Sequence, residues 1–106
     1  MGNGSLTDGV LAAMQQRFQE VVFERAGDLL RDDPAGLPVL RYAPWAPAEP
    51  AYFAVPGMYG GFSYRFEGEP GAPRLVVESW CRVVEGSGQR HVITPDSTEL
   101  VAEGFV

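Results

Sequence analysis

The chain has 106 residues, of which 45% are hydrophobic and 21% charged, with a net charge of −6 and a pI of about 4.6. That length fits one domain with one ordinary core and leaves no room for two, and the composition excludes a wholly disordered chain. All eight basic residues are arginines scattered among fourteen carboxylates, so the clustered cations that displace phosphate counterions are missing, and neither nucleic acid nor an anionic membrane is expected as a partner.

Residues 1–4 are set aside as a frayed start, and 5–106 are expected to form a single α+β domain. Ser5 opens the first element: its hydroxyl can accept from the Asp8 N–H, with Asp8 where a capping box places Glu or Gln. Apolar residues then recur at Leu11, Met14, Phe18, Val21, Val22, Leu29 and Leu30. These steps of three, four and seven predict a long amphipathic helix, with Gln15, Gln16, Gln19, Glu20 and Glu24 largely on its other side. Pro34 is the expected stop. Gly27 weakens the helix by about 1 kcal/mol relative to alanine, and either bends it or divides it, with Asp28 capping a second piece. Phe23 lies off the main stripe, either covered by a loop or offered to a partner such as a second copy.

Five prolines follow in the stretch 34–50 (Pro34, Pro38, Pro44, Pro47 and Pro50). Each fixes φ and removes a donor, so the stretch is expected to be an extended connector anchored by Trp45, with at most an edge strand over Val39–Tyr42. Its PxxP spacings also suit an SH3-type groove, but a connector accounts for them.

Beyond Pro50 the side-chain period changes from 3.6 to 2. Strands are expected at Tyr52–Val55, Phe62–Phe66, Arg74–Val84 and Gln89–Thr94, with glycine-rich or proline-bearing turns between them. A hairpin pairing Phe66 with Leu75, Tyr64 with Val77 and Phe62 with Ser79 lays the aromatic strand and the aliphatic face on one side, where the helix can cover both. Gly86–Gly88 is the next turn. As a three-residue loop it places His91 opposite Val83 and Ile93 opposite Cys81; as a two-residue loop it places His91 beside Arg82. Residues 98–105 form either a last strand or a short helix capped by Asp96 and closed at Gly104.

The expected fold class is therefore α+β: one long N-terminal amphipathic helix packed on a four- to five-stranded antiparallel meander sheet. The order of elements is similar to that of cystatin-like and related helix-then-meander folds, a likeness of order that implies no function.

One His and one Cys exclude a zinc cluster within the chain, and no EF-hand spacing is present, so no metal and no cofactor are expected. The run Gly57–Gly61 lacks the Lys and Ser/Thr of a phosphate loop. It reads as a turn, or as a ligand-approach loop with Met58 and Tyr59 as its lid. Cys81 and His91 are the only pair of nucleophile and base type; against that stand a small buried cysteine and a rim histidine. Glu78, Trp80, Arg82 and His91 could gather on the second sheet face, where a cross-strand ion pair under a tryptophan is the plainer outcome. No catalytic residue is assigned.

The apolar second face (Val76, Trp80 and Val84), together with Phe23, points to a small non-enzymatic protein-interaction module, a homodimer or a complex with another protein partner, using Phe23, Trp80 and Arg82. The alternative is a binder of a small apolar ligand, or an enzyme, with a pocket between helix and sheet lined by Phe18, Val22, Tyr59, Phe62, Tyr64 and Cys81, and His91 within reach. A bacterial, cytoplasmic setting is the expectation: no secretory segment opens the chain, no apolar run spans a bilayer, and the arginine-only, Ala/Gly/Pro-rich usage suits a GC-rich genome.

Overall fold

The computed structural model describes residues 8–27, 40, 51–54, 59–69 and 71–105. Helix α1 (Asp8–Ala26) precedes strands β1 (Ala51–Ala54), β2 (Gly60–Glu67), β3 (Arg74–Cys81), β4 (Gly88–Ile93) and β5 (Thr98–Phe105). The strands lie side by side in chain order, each antiparallel to the next. The fold is α+β on a meander sheet, and residues 98–105 are strand, which discards the helical alternative.

The helix covers one face of the sheet. Met14, Phe18, Val21, Val22 and Ala26 recur at helical spacing and are buried against Phe62, Leu75, Val77 and Ile93. Phe18 meets Tyr64 at 5.1 Å and the edge of Phe53 at 6.1 Å, while Phe53 stacks on Phe62 at 4.9 Å. Offset and edge-on rings of this kind add to what area burial provides. Leu11, Phe23 and Phe66 pack around this centre, so Phe23 belongs to the core margin.

The β2–β3 register is the one the alternation predicts: Phe66 opposite Leu75, Tyr64 opposite Val77, Phe62 opposite Ser79. A one-residue slip would turn every apolar side chain to the wrong face.

Two expectations need correction. The first concerns the helix: α1 ends at Ala26, which favours the break at Gly27 over a continuous run, and Gly27 takes the left-handed conformation (φ +61) of a helix C-cap glycine, while the second piece expected from Asp28 and the stop at Pro34 lie outside the described residues. The proposed cap residue Ser5, Leu29, Leu30, Trp45, Met58 and the proline-rich segment other than Leu40 lie outside the described residues. Leu40 is buried, is not in a strand, and its N–H donates to the Gln15 side-chain carbonyl at 2.8 Å, which ties it to the helix.

The second correction concerns β3, which stops at Cys81 and not at Val84. The Ser87 hydroxyl accepts from the Cys81 N–H at 2.9 Å and donates to the Cys81 carbonyl at 2.8 Å. A side chain thus serves Cys81 as a facing strand residue would, and residues 82–87 become a turn. His91 consequently faces Val77 and Ile93 faces Leu75, so both expected registers for this hairpin are wrong.

Candidate functional site

Two arginines two turns apart on α1 hold the two ends of β4. Arg17 donates to the carbonyl of Asp96 at 2.8 Å, and to the Pro95 carbonyl and Thr98 hydroxyl at 3.4 Å, which pins the β4–β5 turn. That turn is already closed by the Thr94 hydroxyl, which accepts from the N–H groups of Asp96 and Ser97. Arg25 donates to the Ser79 hydroxyl at 2.8 Å and to the Ser87 carbonyl, which pins the β3–β4 turn.

Between these clamps the helix crosses the sheet and leaves a groove of 460 Å³ over β4 and β5. Its walls are Glu20, Val21 and Glu24 from the helix and Gln89, His91, Thr98 and Leu100 from the strands, with Arg17 at one end. His91 is 6% exposed, and its Nδ1 is buried with no hydrogen-bond partner among the described residues. Leaving such an atom unpaired costs about 1–3 kcal/mol, so native interiors rarely tolerate it. Burial holds the imidazole below its ordinary pKa; Glu24 pulls it up and Arg25 pushes it down. The ring is therefore neutral near pH 7 by about the ordinary titration rule, able to accept at one nitrogen and donate at the other.

A second, open cleft of 470 Å³ lies at the other end of the sheet, against Tyr52, Tyr59, Gly60, Trp80, Arg82 and Val83. Tyr52 (72% exposed) meets the half-buried Trp80 edge-on at 6.1 Å, and Tyr59 is 70% exposed. The Arg82 N–H donates to the Tyr59 carbonyl at 2.8 Å, extending the β2–β3 ladder by one rung beneath this cleft.

The sheet ends at β1 and β5. β1 is four residues long, whereas β5 has eight, six of them exposed, with Thr98 and Leu100 reaching the groove beside α1. Leu100 and Val101 are 48% and 49% exposed. The β4–β5 register skips Val101 and Gly104, so β5 carries two bulges.

The residues singled out from sequence divide into three groups. Tyr59, Trp80 and Arg82 meet at the aromatic cleft, whereas Phe62 and Tyr64 belong to the core under the helix. Phe18, Val22 and Phe62 are 0% exposed, so these proposed walls of a helix–sheet pocket present no surface to a ligand. Cys81 and His91 share a face, but His91 stands opposite Val77, four residues along β3 from Cys81. That is about 13 Å at the usual strand rise, too far for a nucleophile–base pair.

The expected grouping does not form: Glu78 makes a cross-strand ion pair at 2.8 Å with Arg90, an arginine outside the group, and Arg82 sits in the β3–β4 turn. His91 lies on the opposite, helix-facing side from that pair. Sequence reasoning missed Arg17, Glu20, Glu24 and Arg25, which look like solvated helix positions until the crossing of α1 over β4 is known. No helix among the described residues is long and apolar enough to cross a membrane, and no cluster of three or more metal-ligating side chains occurs among them.

No family model, no curated protein and no solved structure matches this chain.

Proposed function

We propose that this chain is a small non-enzymatic protein-interaction module that associates with a second copy of itself through β5. The observation that carries the proposal is an eight-residue strand at the end of the sheet, six of its residues exposed, with Leu100 and Val101 half-exposed and no further strand beside it among the described residues. An unpaired strand edge offers a row of backbone donors and acceptors to another chain, and apolar side chains beside it add burial on pairing. Glu99 and Glu103 set the register, since like charges directly opposite each other across a two-fold are unfavourable. Sedimentation velocity over a micromolar to millimolar range tests it. The wild type is expected to shift from monomer to dimer, and Val101→Lys, which puts a charge on the open edge, to remain monomeric. A wild type that stays monomeric throughout, or a dimer indifferent to that substitution, rules the proposal out.

A small-ligand role is the second reading, favoured by the groove that α1 leaves over β4 and β5. It moves the ligand from the core, where Phe18 and Phe62 leave no surface, to the flank of the helix.

A further inference from the structure

We propose that the open cleft over β1, β2 and the end of β3 binds a small aromatic carboxylate, its ring against Tyr52 and Trp80 and its carboxylate on Arg82. The cleft exists because β2 is bare at its centre. Gly61 stands opposite Ala54 on β1 and Trp80 on β3. A side chain is barred there, since a Cβ would lie 2.7 Å from the Phe53 carbonyl oxygen. The space left beside the edge-on Tyr52–Trp80 pair is 470 Å³, within the roughly 300–1,000 Å³ usual for small-molecule sites. Tyr59 stands at its rim, and among the described residues it alone of the non-glycines has a positive φ (58°). A bulky side chain rarely adopts that conformation, and such strain gathers at ligand clamps. Here it holds an exposed ring over the cleft, fixed by the hydrogen bond from the Arg82 N–H to the Tyr59 carbonyl.

Charge decides the ligand class. The chain carries a net charge of −6, yet no carboxylate lines this cleft among the described residues, and its one charged wall is Arg82. Arg17, Arg25, Arg65, Arg74 and Arg90 each spend their guanidinium on a protein oxygen. The Arg82 guanidinium makes no such bond among the described residues, and its side chain is exposed. An unengaged guanidinium offers a planar fork that a carboxylate fills with two parallel hydrogen bonds. Aromatic rings would also attract a cation through their faces, but Arg82 opposes that choice. A flat ring bearing one carboxylate satisfies both halves of the site: offset or edge-on contact with Tyr52 and Trp80, and a charged pair with Arg82. The proposal goes beyond self-association and does not depend on it, because the cleft and β5 lie at different ends of the sheet.

The chain has two tryptophans, so the indole N–H of Trp80 is one of two NMR signals and is the one that Trp80→Phe removes. The full chain is titrated with 2-naphthoate while that signal is followed. Naphthalene-2-methanol (the ring without the charge), cyclohexanecarboxylate (the charge without a flat ring) and 2-naphthylmethylammonium (the opposite charge) are the comparison probes. 2-Naphthoate is expected to shift the Trp80 signal saturably, and each comparison probe to bind about tenfold more weakly or worse. Arg82→Gln keeps the backbone N–H that bonds Tyr59 and changes only an exposed side chain, so its urea midpoint should match the wild type. It should bind 2-naphthoate no better than the neutral alcohol. Tyr52→Ala, also at an exposed position, should weaken 2-naphthoate and the alcohol alike, by about threefold or more. No saturable shift with 2-naphthoate, equal binding of the alcohol or the ammonium, or binding unchanged in a folded Arg82→Gln overturns the proposal.

Discussion

Gly60 shows how tightly a single residue is specified. A Cβ there would stand 1.9 Å from the Trp80 carbonyl oxygen and 2.8 Å from its carbon, both backbone atoms that cannot swing aside. Gly60→Ala is expected to destabilise the protein by about 3 kcal/mol, at the upper end for overpacking. Gly9→Ala, in the helix with nothing within 4 Å, should stabilise it by about 0.5 kcal/mol. Urea denaturation of the two variants checks the contrast. His91 supplies a pH dependence. Burial lowers its pKa in the folded state from 6.5, so between the two values the unfolded chain binds the extra proton. The stability gained by keeping the ring neutral is complete above about pH 6.5 and declines as pH falls below it. Denaturation midpoints should therefore drop between about pH 7.5 and 5.5 in the wild type, and drop less in His91→Gln. Of these residue features, the sequence marks His91 as the single imidazole but gives no sign of its missing partner, which depends on how α1 crosses β4.

At the scale of elements, the arginine clamps fix where the turns sit. Ser79 is fully buried, and Arg25 donates to its hydroxyl. Removing Arg25 strands that hydroxyl and frees the Ser87 carbonyl, so Arg25→Ala should cost about 1–3 kcal/mol. It should also speed amide exchange in residues 82–87 ahead of the strands. Arg17→Ala, whose contacts are mostly exposed and long, should cost about 1 kcal/mol or less. The β2–β3 pairing was legible because Phe62, Tyr64 and Phe66 alternate cleanly with polar residues, and only one register lays them beside Leu75 and Val77. The β3–β4 pairing was not. Val83 and Val84 continue the apolar rhythm past the true end of β3, and the Ser87 hydroxyl that ends it is invisible to a pattern of apolar and polar residues. The helix end follows the same lesson: Pro34 is the louder stop signal, but Gly27 acts first by taking a positive φ.

For the molecule as a whole, one buried layer joins helix and sheet, and its members from Met14 to Ile93 were mostly readable from side-chain period. The sheet's open flank was not: it follows from strand order, which leaves β5 at the end with Leu100 and Val101 half-exposed. The apolar patch expected on the second face is smaller than the sequence suggests, because Val76 is buried and Val84 is in a turn. Self-association through β5 has a screening signature: Glu99 and Glu103 are both exposed, so added salt should strengthen it by reducing repulsion between the copies. Its most direct test is amide hydrogen exchange at two protein concentrations. Alternate β5 amides, those pointing away from β4, should exchange quickly in dilute solution and slowly in concentrated solution, with β1 unchanged. Exchange in β5 that does not depend on concentration, or protection gained around Trp80 instead, would contradict pairing at this edge.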